Sequence, residues 1–200
     1  MNQVKKYEKR FYIYQRMLNL RPTDSILDLG CGQGILITRF KNLCKHVTGV
    51  DISEEAIKIA SRLNPECEFL IKDIEDLNFA KKSFDIVYCF ETLQYIQNQQ
   101  LALRKMFEFA RRAVVISVPN YDSLWAQLIK AKQALIGIGC YPNSPTTRWF
   151  KKNQISNFPK IKYELHSFAT KMEREFSGTI RFHLNRLLTN NLYIVARYDL

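Results

Sequence analysis

Three glycines at alternate positions follow a short apolar run that ends in an acid, in the segment ILDLGCGQG (residues 26–34). Glycines at a turn between a strand and a helix let a ligand approach the backbone closely, and the helix then offers unpaired N–H groups. The carboxylate of Asp28, two residues before Gly30, would repel a pyrophosphate and attract a cation. Ile35 occupies the place of the third glycine in the dinucleotide fingerprint G-x-G-x-x-G. The loop therefore favours a positively charged ligand without phosphates.

Other acids follow predicted strands along the chain in the same way. Asp51 ends the run HVTGVD, Asp73 ends CEFLIKD, and Glu91 follows FDIVYCF. The carboxyl ends of parallel strands lie at one edge of a sheet, and ligands bind beyond that edge. We therefore expect these acids to surround one site together with Asp28 and the glycine loop. The competing interpretation of any single acid is a helix cap or a solvated strand end.

The elements that must position these residues alternate between strand and helix patterns. A leading helix is predicted within residues 1–23, and five strands with intervening helices are predicted within the cofactor-binding core, residues 24–119. Residues 120–200 predict a substrate-side helix, a loop and the last two strands. This order predicts an α/β fold: a Rossmann-like, doubly wound, mostly parallel seven-stranded sheet with helices on both faces. We expect residues 1–200 to form a single domain.

The bounds of these elements follow from turn residues and from the hydrophobic period. The predicted strands are residues 25–30, 46–51, 67–73, 84–90, 113–119, 161–168 and 191–198, and the predicted helices are residues 3–19, 34–44, 53–63, 99–112 and 121–137. Ser53 is a predicted N-cap, followed by the first-turn acids Glu54 and Glu55. Residues 74–83 are too short and too mixed to predict a helix.

The composition narrows the class of protein. The chain has 200 residues and is 46% hydrophobic, which is typical of a globular domain with a sizeable core. No run of about 18 uncharged apolar residues predicts a membrane-spanning helix, and the N-terminal segment lacks the apolar core of a signal peptide. Five scattered cysteines without C-x-x-C spacing predict free thiols rather than a zinc site or a disulfide framework. We therefore expect a cytoplasmic protein without a bound metal.

Charge is divided unevenly between the two halves of the chain. Residues 1–100 carry 14 Lys and Arg against 13 Asp and Glu, whereas residues 101–200 carry 16 against six. A partner of the second half is therefore expected to be anionic: a phosphorylated small molecule, a nucleic acid or a lipid surface. The competing interpretation is a basic surface that only keeps the protein soluble. The predicted helix at 121–137 leaves peripheral membrane contact open, although a helix that faces the core fits the same pattern.

ILDLGCGQG resembles motif I of the class I S-adenosylmethionine-dependent methyltransferases. The segments that resemble this family's next three motifs, in the right order and spacing, are VTGVDIS (47–53), FLIKDIEDLNF (69–79) and FDIVYCFETLQYI (84–96). The resemblance covers residues 24–119, points to the small-molecule branch and implies S-adenosylmethionine as the cofactor. The cofactor contacts that it implies are Asp28, Gly30, Cys31, Gly32, Gly34, Asp51, Ile52, Asp73, Ile74 and Phe90. Asp51 would accept from the ribose hydroxyls, and Asp73 from the adenine amino group.

The sequence offers more than one candidate for a residue that assists catalysis. Methyl transfer from a sulfonium is an in-line displacement with a neutral leaving group, so a base is needed only where the acceptor must lose a proton. Glu91 and Tyr95 are the candidates. Many relatives in the small-molecule branch read E-x-L-E-H where this chain reads ETLQY, so Gln94 and Tyr95 replace an acid and a histidine. This departure argues against a catalytic metal.

The acceptor is expected to meet the segment PTTRWFKKNQI (residues 145–155). Arg148 would bind an anionic group, and Trp149 and Phe150 would line the pocket, although a basic surface loop fits the same residues. The first hypothesis is therefore methyl transfer to a small acceptor, with anionic and lipid- or sugar-linked molecules as the candidates. The alternatives are methylation of tRNA or rRNA, which the absence of an N-P-P-Y run weakens, and a non-catalytic relative that binds the cofactor.

Overall fold

The computed structural model describes residues 3–119, 161–166 and 193–200. The predicted helix at 121–137 and the predicted acceptor residues Arg148, Trp149 and Phe150 lie outside these residues. The helices are α1 (Gln3–Leu18), α2 (Ile35–Phe40), α3 (Glu54–Leu63) and α4 (Gln99–Phe109), and the strands are β1 (Ser25–Leu29), β2 (His46–Asp51), β3 (Glu68–Ile71), β4 (Phe84–Phe90), β5 (Ala110–Pro119), β6 (Ile161–His166) and β7 (Tyr193–Asp199). Each corresponds to a predicted element, with shifts at several ends.

All these strands belong to one sheet, in the order β3-β2-β1-β4-β5-β7-β6. The first five strands run parallel to one another, and β7 runs antiparallel to both β5 and β6. The order reverses between β1 and β4, which is where ligands bind in open sheets of this kind. The predicted Rossmann-like, mostly parallel architecture is therefore confirmed, and the glycine loop after β1 lies at the reversal point.

Alternate residues of the central strands supply two hydrophobic cores, one on each face of the sheet. Leu27 of β1 packs in the core that contains Met106 of α4. Its neighbour Ile26 packs on the other side, in the core that contains Leu18 of α1 and Phe40 of α2. All five side chains are fully buried, and each stabilises the fold by about 1.5–3 kcal/mol through loss of apolar surface to water. Helices thus cover both faces, as the sequence predicts.

Two arginines from strands that are distant from α1 in sequence bind the C-terminal end of this helix. Arg197 of β7 donates from Nη1 to the carbonyl oxygens of Met17 and Leu18, at 2.7 Å and 2.8 Å. Arg112 of β5 donates to the carbonyl oxygen of Asn19, whose left-handed backbone (φ 48°) ends the helix. The last carbonyls of a helix have no partner within it, and these guanidinium groups supply one. The leading helix is therefore fixed to the sheet at this end.

The boundary between α4 and β5 differs from its prediction. The helix predicted over 99–112 ends at Phe109, and the strand begins at Ala110 rather than at Ala113. Ala110 pairs with Phe84 through an irregular step of the ladder, and Arg111 forms an ion pair with Asp85 beside it. These contacts with β4 outweigh the helical spacing of the segment, a tertiary effect that the local pattern does not contain. The other ends differ less: α2 stops at Phe40 and continues as a 3₁₀ turn over Lys41–Leu43.

Candidate active site

The three glycines of the loop all have positive φ, but they meet different surroundings. A Cβ added at Gly30 would lie 2.2 Å from the side chain of Thr92, and one at Gly34 would lie 2.9 Å from the side chain of Asn64. A Cβ added at Gly32 would meet no atom of the described residues within 4 Å. Gly30 and Gly34 are therefore required by the protein's own packing, and Gly32 leaves the open space that a ligand needs.

Asp51 connects the end of β2 to the glycine loop. Its Oδ2 accepts from the backbone N–H of Gly32 at 2.8 Å, and its Oδ1 accepts from the N–H of Ser53 at 2.9 Å. A carboxylate has about four lone-pair sites, so both oxygens can accept further hydrogen bonds. Asp51 is half-buried, which leaves it within reach of a ligand beside Gly32. This arrangement fits a pair of vicinal hydroxyls on that ligand.

Cys31 faces the protein rather than the open side of the loop. Its Sγ lies so close to Gly49 of β2 that a Cβ there would be 2.9 Å away. Burial, together with the charges of Asp28 and Asp51, raises the pKa of its thiol well above the ordinary range. The N–H groups of Gly30 and Cys31 donate to the carbonyl oxygen of Val50 at 2.8 Å and 3.0 Å. These N–H groups therefore hold the loop on β2 and are not directed at a ligand.

Asp28 is buried beneath the loop, with 2% of its surface exposed. Its Oδ2 accepts a hydrogen bond from the hydroxyl of Tyr88 at 2.9 Å. Burial raises the pKa of Asp28 to about 7, with the charge of Asp51 adding to the rise and the Tyr88 hydrogen bond opposing it. In this buried position, the acid would act on a ligand through its charge rather than by direct contact.

Ile52 and Asp73 follow the ends of β2 and β3, the two strands on one side of β1 in the sheet. Asp73 caps the short 3₁₀ turn Ile74–Asp76, because its Oδ1 accepts from the N–H of Glu75 at 2.8 Å. The backbone N–H of Lys72 donates to the carbonyl oxygen of Asp51 at 3.1 Å, which holds this strand end beside the loop. The side chain of Ile74 is buried in the core on the α4 face. Ile52 is 69% exposed, so a large apolar side chain stands uncovered next to Asp51.

At the end of β4, the side chain of Phe90 points into the core on the α1 face. Its ring stacks on that of Tyr14 with the centroids 3.9 Å apart and 10° between the planes. Phe90 is 6% exposed, so any contact with a ligand would be made by its backbone. The next residue, Glu91, is half-buried, and its Oε1 accepts from the Tyr14 hydroxyl at 2.8 Å. Thr92 then returns to the loop and donates to the carbonyl oxygen of Gly30 at 3.2 Å.

The two residues that depart from E-x-L-E-H have different surroundings. Gln94 is 2% exposed, and its Nε2 donates to the carbonyl oxygen of Glu91 at 2.6 Å. Tyr95 is 48% exposed. Gln94 therefore stabilises the chain after β4 through this hydrogen bond, whereas Tyr95 is accessible at the surface. The fourth motif thus supplies support to Glu91 at the position where relatives have an acid.

Several residues of the site carry no motif signal. Tyr14 has only the helical spacing of α1, and Ser117 looks like an ordinary residue of an apolar strand. Asn64 directly follows α3, and its Nδ2 donates to the carbonyl oxygen of Gly34 at 3.2 Å. Thr38 donates to the Oδ1 of Asn64 at 2.9 Å and completes this support of the loop. The spacing of buried positions predicts that such residues are buried but not that they bind each other.

These features fit an adenosine-type ligand with positive charge. Gly32 supplies space at the backbone, Asp51 supplies acceptors for vicinal hydroxyls, and the exposed Ile52 supplies an apolar surface for a purine. The buried acid Asp28 lies below, where its charge favours a cation. The fold and the loop together define the S-adenosylmethionine-dependent class of methyltransferases.

Comparison with known proteins gives the family. Residues 20–170 match the family model described as "Methyltransferase domain", so the chain belongs to this family. It is 30% identical over 127 residues to malonyl-[acyl-carrier protein] O-methyltransferase from Pectobacterium atrosepticum, a match that spans 62% of this chain and 50% of that protein. It is 28% identical over 112 residues to phosphoethanolamine N-methyltransferase 1 from Arabidopsis thaliana, with 52% of this chain and 22% of that protein covered. The chain thus spans half or less of the length of these two relatives.

Solved structures agree on the fold. A S-adenosylmethionine-dependent methyltransferase from Archaeoglobus fulgidus superimposes with a TM-score of 0.68 at 20% identity, over 99% of this chain and 94% of the other. The family match, together with this shared fold, makes the chain a class I S-adenosylmethionine-dependent methyltransferase domain with S-adenosylmethionine as its cofactor.

Two further observations concern the described part of the chain. Residues 3–119, 161–166 and 193–200 contain no group of three or more His, Cys, Asp or Glu side chains arranged to hold a metal ion. None of the helices in these ranges combines the length and the apolar character that crossing a bilayer requires.

Proposed function

We propose that this protein transfers the methyl group of S-adenosylmethionine to a small acceptor that carries an anionic group. The observation that carries the proposal is the arrangement at one edge of the sheet. Gly32 leaves open space, Asp51 lies beside it, and Glu91 follows β4 next to Thr92, which binds the same loop. A cofactor in the loop and an acceptor near Glu91 would therefore be neighbours.

The chain's own residues would act mainly by positioning. S-adenosylmethionine supplies a methyl group on a cationic sulfur, which leaves as a neutral thioether. Asp51 accepts from the ribose hydroxyls, Asp73 accepts from the adenine amino group, and Ile52 packs on the purine ring. Glu91 faces the acceptor. Holding two reactants in line supplies about 7–11 kcal/mol of the barrier in favourable cases, so strong acid or base catalysis is not required.

The anionic part of the acceptor is assigned to the second half of the chain. Residues 101–200 carry 16 Lys and Arg against six Asp and Glu. In this proposal Arg148 binds the anionic group, and Trp149 and Phe150 line the pocket. The relatives include a phosphoethanolamine N-methyltransferase, whose named substrate carries a phosphate and an amino group. A phosphorylated or lipid-linked headgroup is therefore the first class of acceptor to test.

Titration calorimetry tests the cofactor half of this proposal. S-adenosylmethionine is expected to bind with a micromolar Kd, and NAD is expected not to bind. Transfer of a radioactive methyl group to a panel of phosphoethanolamine, phosphorylated sugars, phenols, lipids and tRNA then tests the acceptor. Binding without transfer to any member would favour a non-catalytic relative over an enzyme.

RNA is the second candidate, because the same excess of positive charge would attract a phosphate backbone. An electrophoretic shift of tRNA at low salt that is lost steeply as salt rises would favour it. Methyl transfer to tRNA at a rate above that of every small molecule in the panel would replace the first proposal. The absence of any shift at low salt would remove RNA from consideration.

A further inference from the structure

Glu91 has a backbone conformation that is uncommon for its residue type. Its φ is +56°, in the left-handed region that favours glycine. Such a conformation costs on the order of 1–3 kcal/mol at a non-glycine residue and persists where the surroundings enforce it. The fold therefore holds Glu91 in place at a cost, directly after the strand that borders the glycine loop.

Three other residues hold Glu91 at three different groups. Ser117 of β5 accepts from the N–H of Glu91, with its carbonyl oxygen at 3.2 Å and its Oγ at 2.9 Å. Gln94 donates to the carbonyl oxygen of Glu91 at 2.6 Å. Tyr14 of α1 donates to the carboxylate at 2.8 Å. All three are nearly or fully buried, so each bond is shielded from competing water.

The hydroxyl groups form an ordered chain. The Tyr14 hydroxyl donates its proton to Glu91, so the Oγ of Ser117, 3.1 Å away, is the donor to Tyr14. The Tyr14 ring is itself fixed, because it stacks on Phe90 with the centroids 3.9 Å apart. The direction of the Glu91 carboxylate is therefore set from α1 and β5, by residues that are 77 and 26 positions away from it in sequence.

From this geometry we infer that Tyr14 is a positioning residue for Glu91, and that the Glu91 carboxylate selects acceptors whose reacting atom carries a hydrogen. A hydroxyl or amino acceptor can donate to a fixed carboxylate. A carboxylate acceptor would place two like charges side by side, which disfavours its binding. This inference rests on the proposed function and names the class of acceptor within it.

The chemistry balances for a hydroxyl or amino acceptor. The acceptor's lone pair forms the new bond to the methyl carbon as the carbon–sulfur bond breaks, and sulfur keeps that electron pair. The proton that the acceptor loses passes to water by way of the Glu91 carboxylate. A carboxylate acceptor has no proton to give, so its negative charge would only be repelled by the Glu91 carboxylate.

Calorimetry with two small anions on the protein saturated with S-adenosylhomocysteine tests the selection. Phosphoethanolamine and malonate both carry an anionic group, but one offers an amino group and the other a second carboxylate. Wild type is expected to bind phosphoethanolamine about tenfold more tightly than malonate, because a like charge beside a fixed acid is costly. Glu91→Gln and Tyr14→Phe are each expected to reduce this ratio to about threefold or less.

The variants separate positioning from stability. Tyr14→Phe keeps the ring that stacks on Phe90 and removes only the hydroxyl. Tyr12→Phe is the matched control, because Tyr12 is on the same helix and is 63% exposed. Tyr14→Phe is expected to keep the Kd for S-adenosylmethionine within about threefold of wild type, because Tyr14 acts on Glu91 and not on the loop. With phosphoethanolamine as acceptor, kcat is expected to fall about 100-fold through misalignment, and Tyr12→Phe is expected to match wild type.

Each outcome supports the inference or overturns it. Malonate binding as tightly as phosphoethanolamine in wild type would overturn it, as would an unchanged ratio in Tyr14→Phe or no binding of phosphoethanolamine at all. In these cases the proposed methyl transfer would still stand if S-adenosylmethionine binds and the radioactive methyl group is transferred to a member of the acceptor panel. Failure of wild type to bind S-adenosylmethionine or S-adenosylhomocysteine would overturn both.

Discussion

The cofactor side and the acceptor side of this site are built differently. On the cofactor side, Asp51 and Asp73 bind backbone N–H groups only two residues further along the chain, and Asp51 also binds the loop 19 residues earlier. On the acceptor side, Glu91 is bound by Tyr14 and Ser117, which are 77 and 26 residues away from it. Nearby segments therefore hold the two acids of the cofactor side, although Thr92 and Asn64 bind the glycine loop from further along the chain. The direction of the Glu91 carboxylate depends on three elements packing together.

This difference predicts how the two sides respond to change. A local arrangement survives small shifts of the helices, because its partners move together. A long-range arrangement is weakened when the leading helix or β5 shifts, since the strength of a hydrogen bond depends on its distance and angle. We therefore expect substitutions on the cofactor side to act on binding, and those behind Glu91 to act on alignment.

The largest expected effect is that of Asp51→Ala on cofactor binding. The change removes the proposed acceptors for two ribose hydroxyls, together with the observed bonds to Gly32 and Ser53. Hydrogen bonds to a charged group contribute about 1.5–3 kcal/mol each, so the affinity for S-adenosylmethionine is expected to fall by about 10²–10⁴-fold. Titration calorimetry measures it, with the exposed first-turn acid in Glu55→Ala as the control. An affinity within tenfold of wild type would contradict the assignment of Asp51.

The second largest expected effect is a difference in stability between alanine substitutions at two glycines of the same loop. In Gly30→Ala, the new Cβ would clash with Thr92 at 2.2 Å, and φ is +78°. Overpacking and left-handed strain together are expected to lower the free energy of unfolding by about 3 kcal/mol. Gly32→Ala adds a Cβ into open space, so only the backbone strain of about 1 kcal/mol applies, while cofactor affinity falls. Urea unfolding measures the stability of the two variants, and calorimetry measures their affinity for S-adenosylmethionine. Equal losses of stability would contradict a packing role for Gly30 and a ligand-space role for Gly32.

The third prediction concerns the anchor of the leading helix. Arg197→Met keeps an unbranched apolar side chain but removes the guanidinium group, which leaves the carbonyls of Met17 and Leu18 without their donor. Loss of partners for buried polar groups is expected to lower the free energy of unfolding by about 2–3 kcal/mol. Arg111→Met is the control, because Arg111 is an exposed arginine in an ion pair at the surface, where the expected loss is below about 1 kcal/mol.

The same variant extends the comparison to the acceptor side. Hydrogen exchange is expected to speed up in α1 of Arg197→Met before it changes in β1 and β2, because the helix loses its fixed end first. Tyr14 lies one turn before that end, so the Glu91 carboxylate would lose its orientation while the glycine loop remains in place. Uniform exchange across α1 and the central strands would mean that the two sides are not separable.

The sequence predicts the elements of the fold better than the long-range contacts between them. Local sequence patterns predict the order of strands and helices and hence the Rossmann-like class. The N-cap at Ser53 also forms as its residue type predicts. The roles of Gly30 and Gly34 could not be predicted, because Thr92 and Asn64 approach them only in the fold. The sequence also did not indicate that the side chain of Phe90 belongs to the core, since an aromatic residue at a strand end fits a ligand or a core equally well.

The smallest expected effect is the change of stability with pH that results from the titration of Asp28. An Asp whose pKa rises from 3.8 to about 7 on folding keeps its proton in the native state when the unfolded chain has lost it. The native state therefore binds more protons between these values, and stability falls as pH rises through this window. Between pH 6 and pH 8 the expected loss is about 1.4 kcal/mol, and above pH 8 this contribution is constant. Urea unfolding at several pH values measures it.

Asp28→Asn keeps an acceptor for the Tyr88 hydroxyl and removes the titration. Its stability is therefore expected to change less with pH over this window, while a slope equal to that of wild type would assign the dependence to another group. The affinity for S-adenosylmethionine links this acid to the cofactor. A cation above Asp28 favours its charged form, so wild-type affinity is expected to rise from pH 6 to pH 8 by up to about tenfold, and the variant should show no such rise. Because Asp28 is buried beneath the loop, such a rise would mean that the acid acts on the cofactor through charge alone.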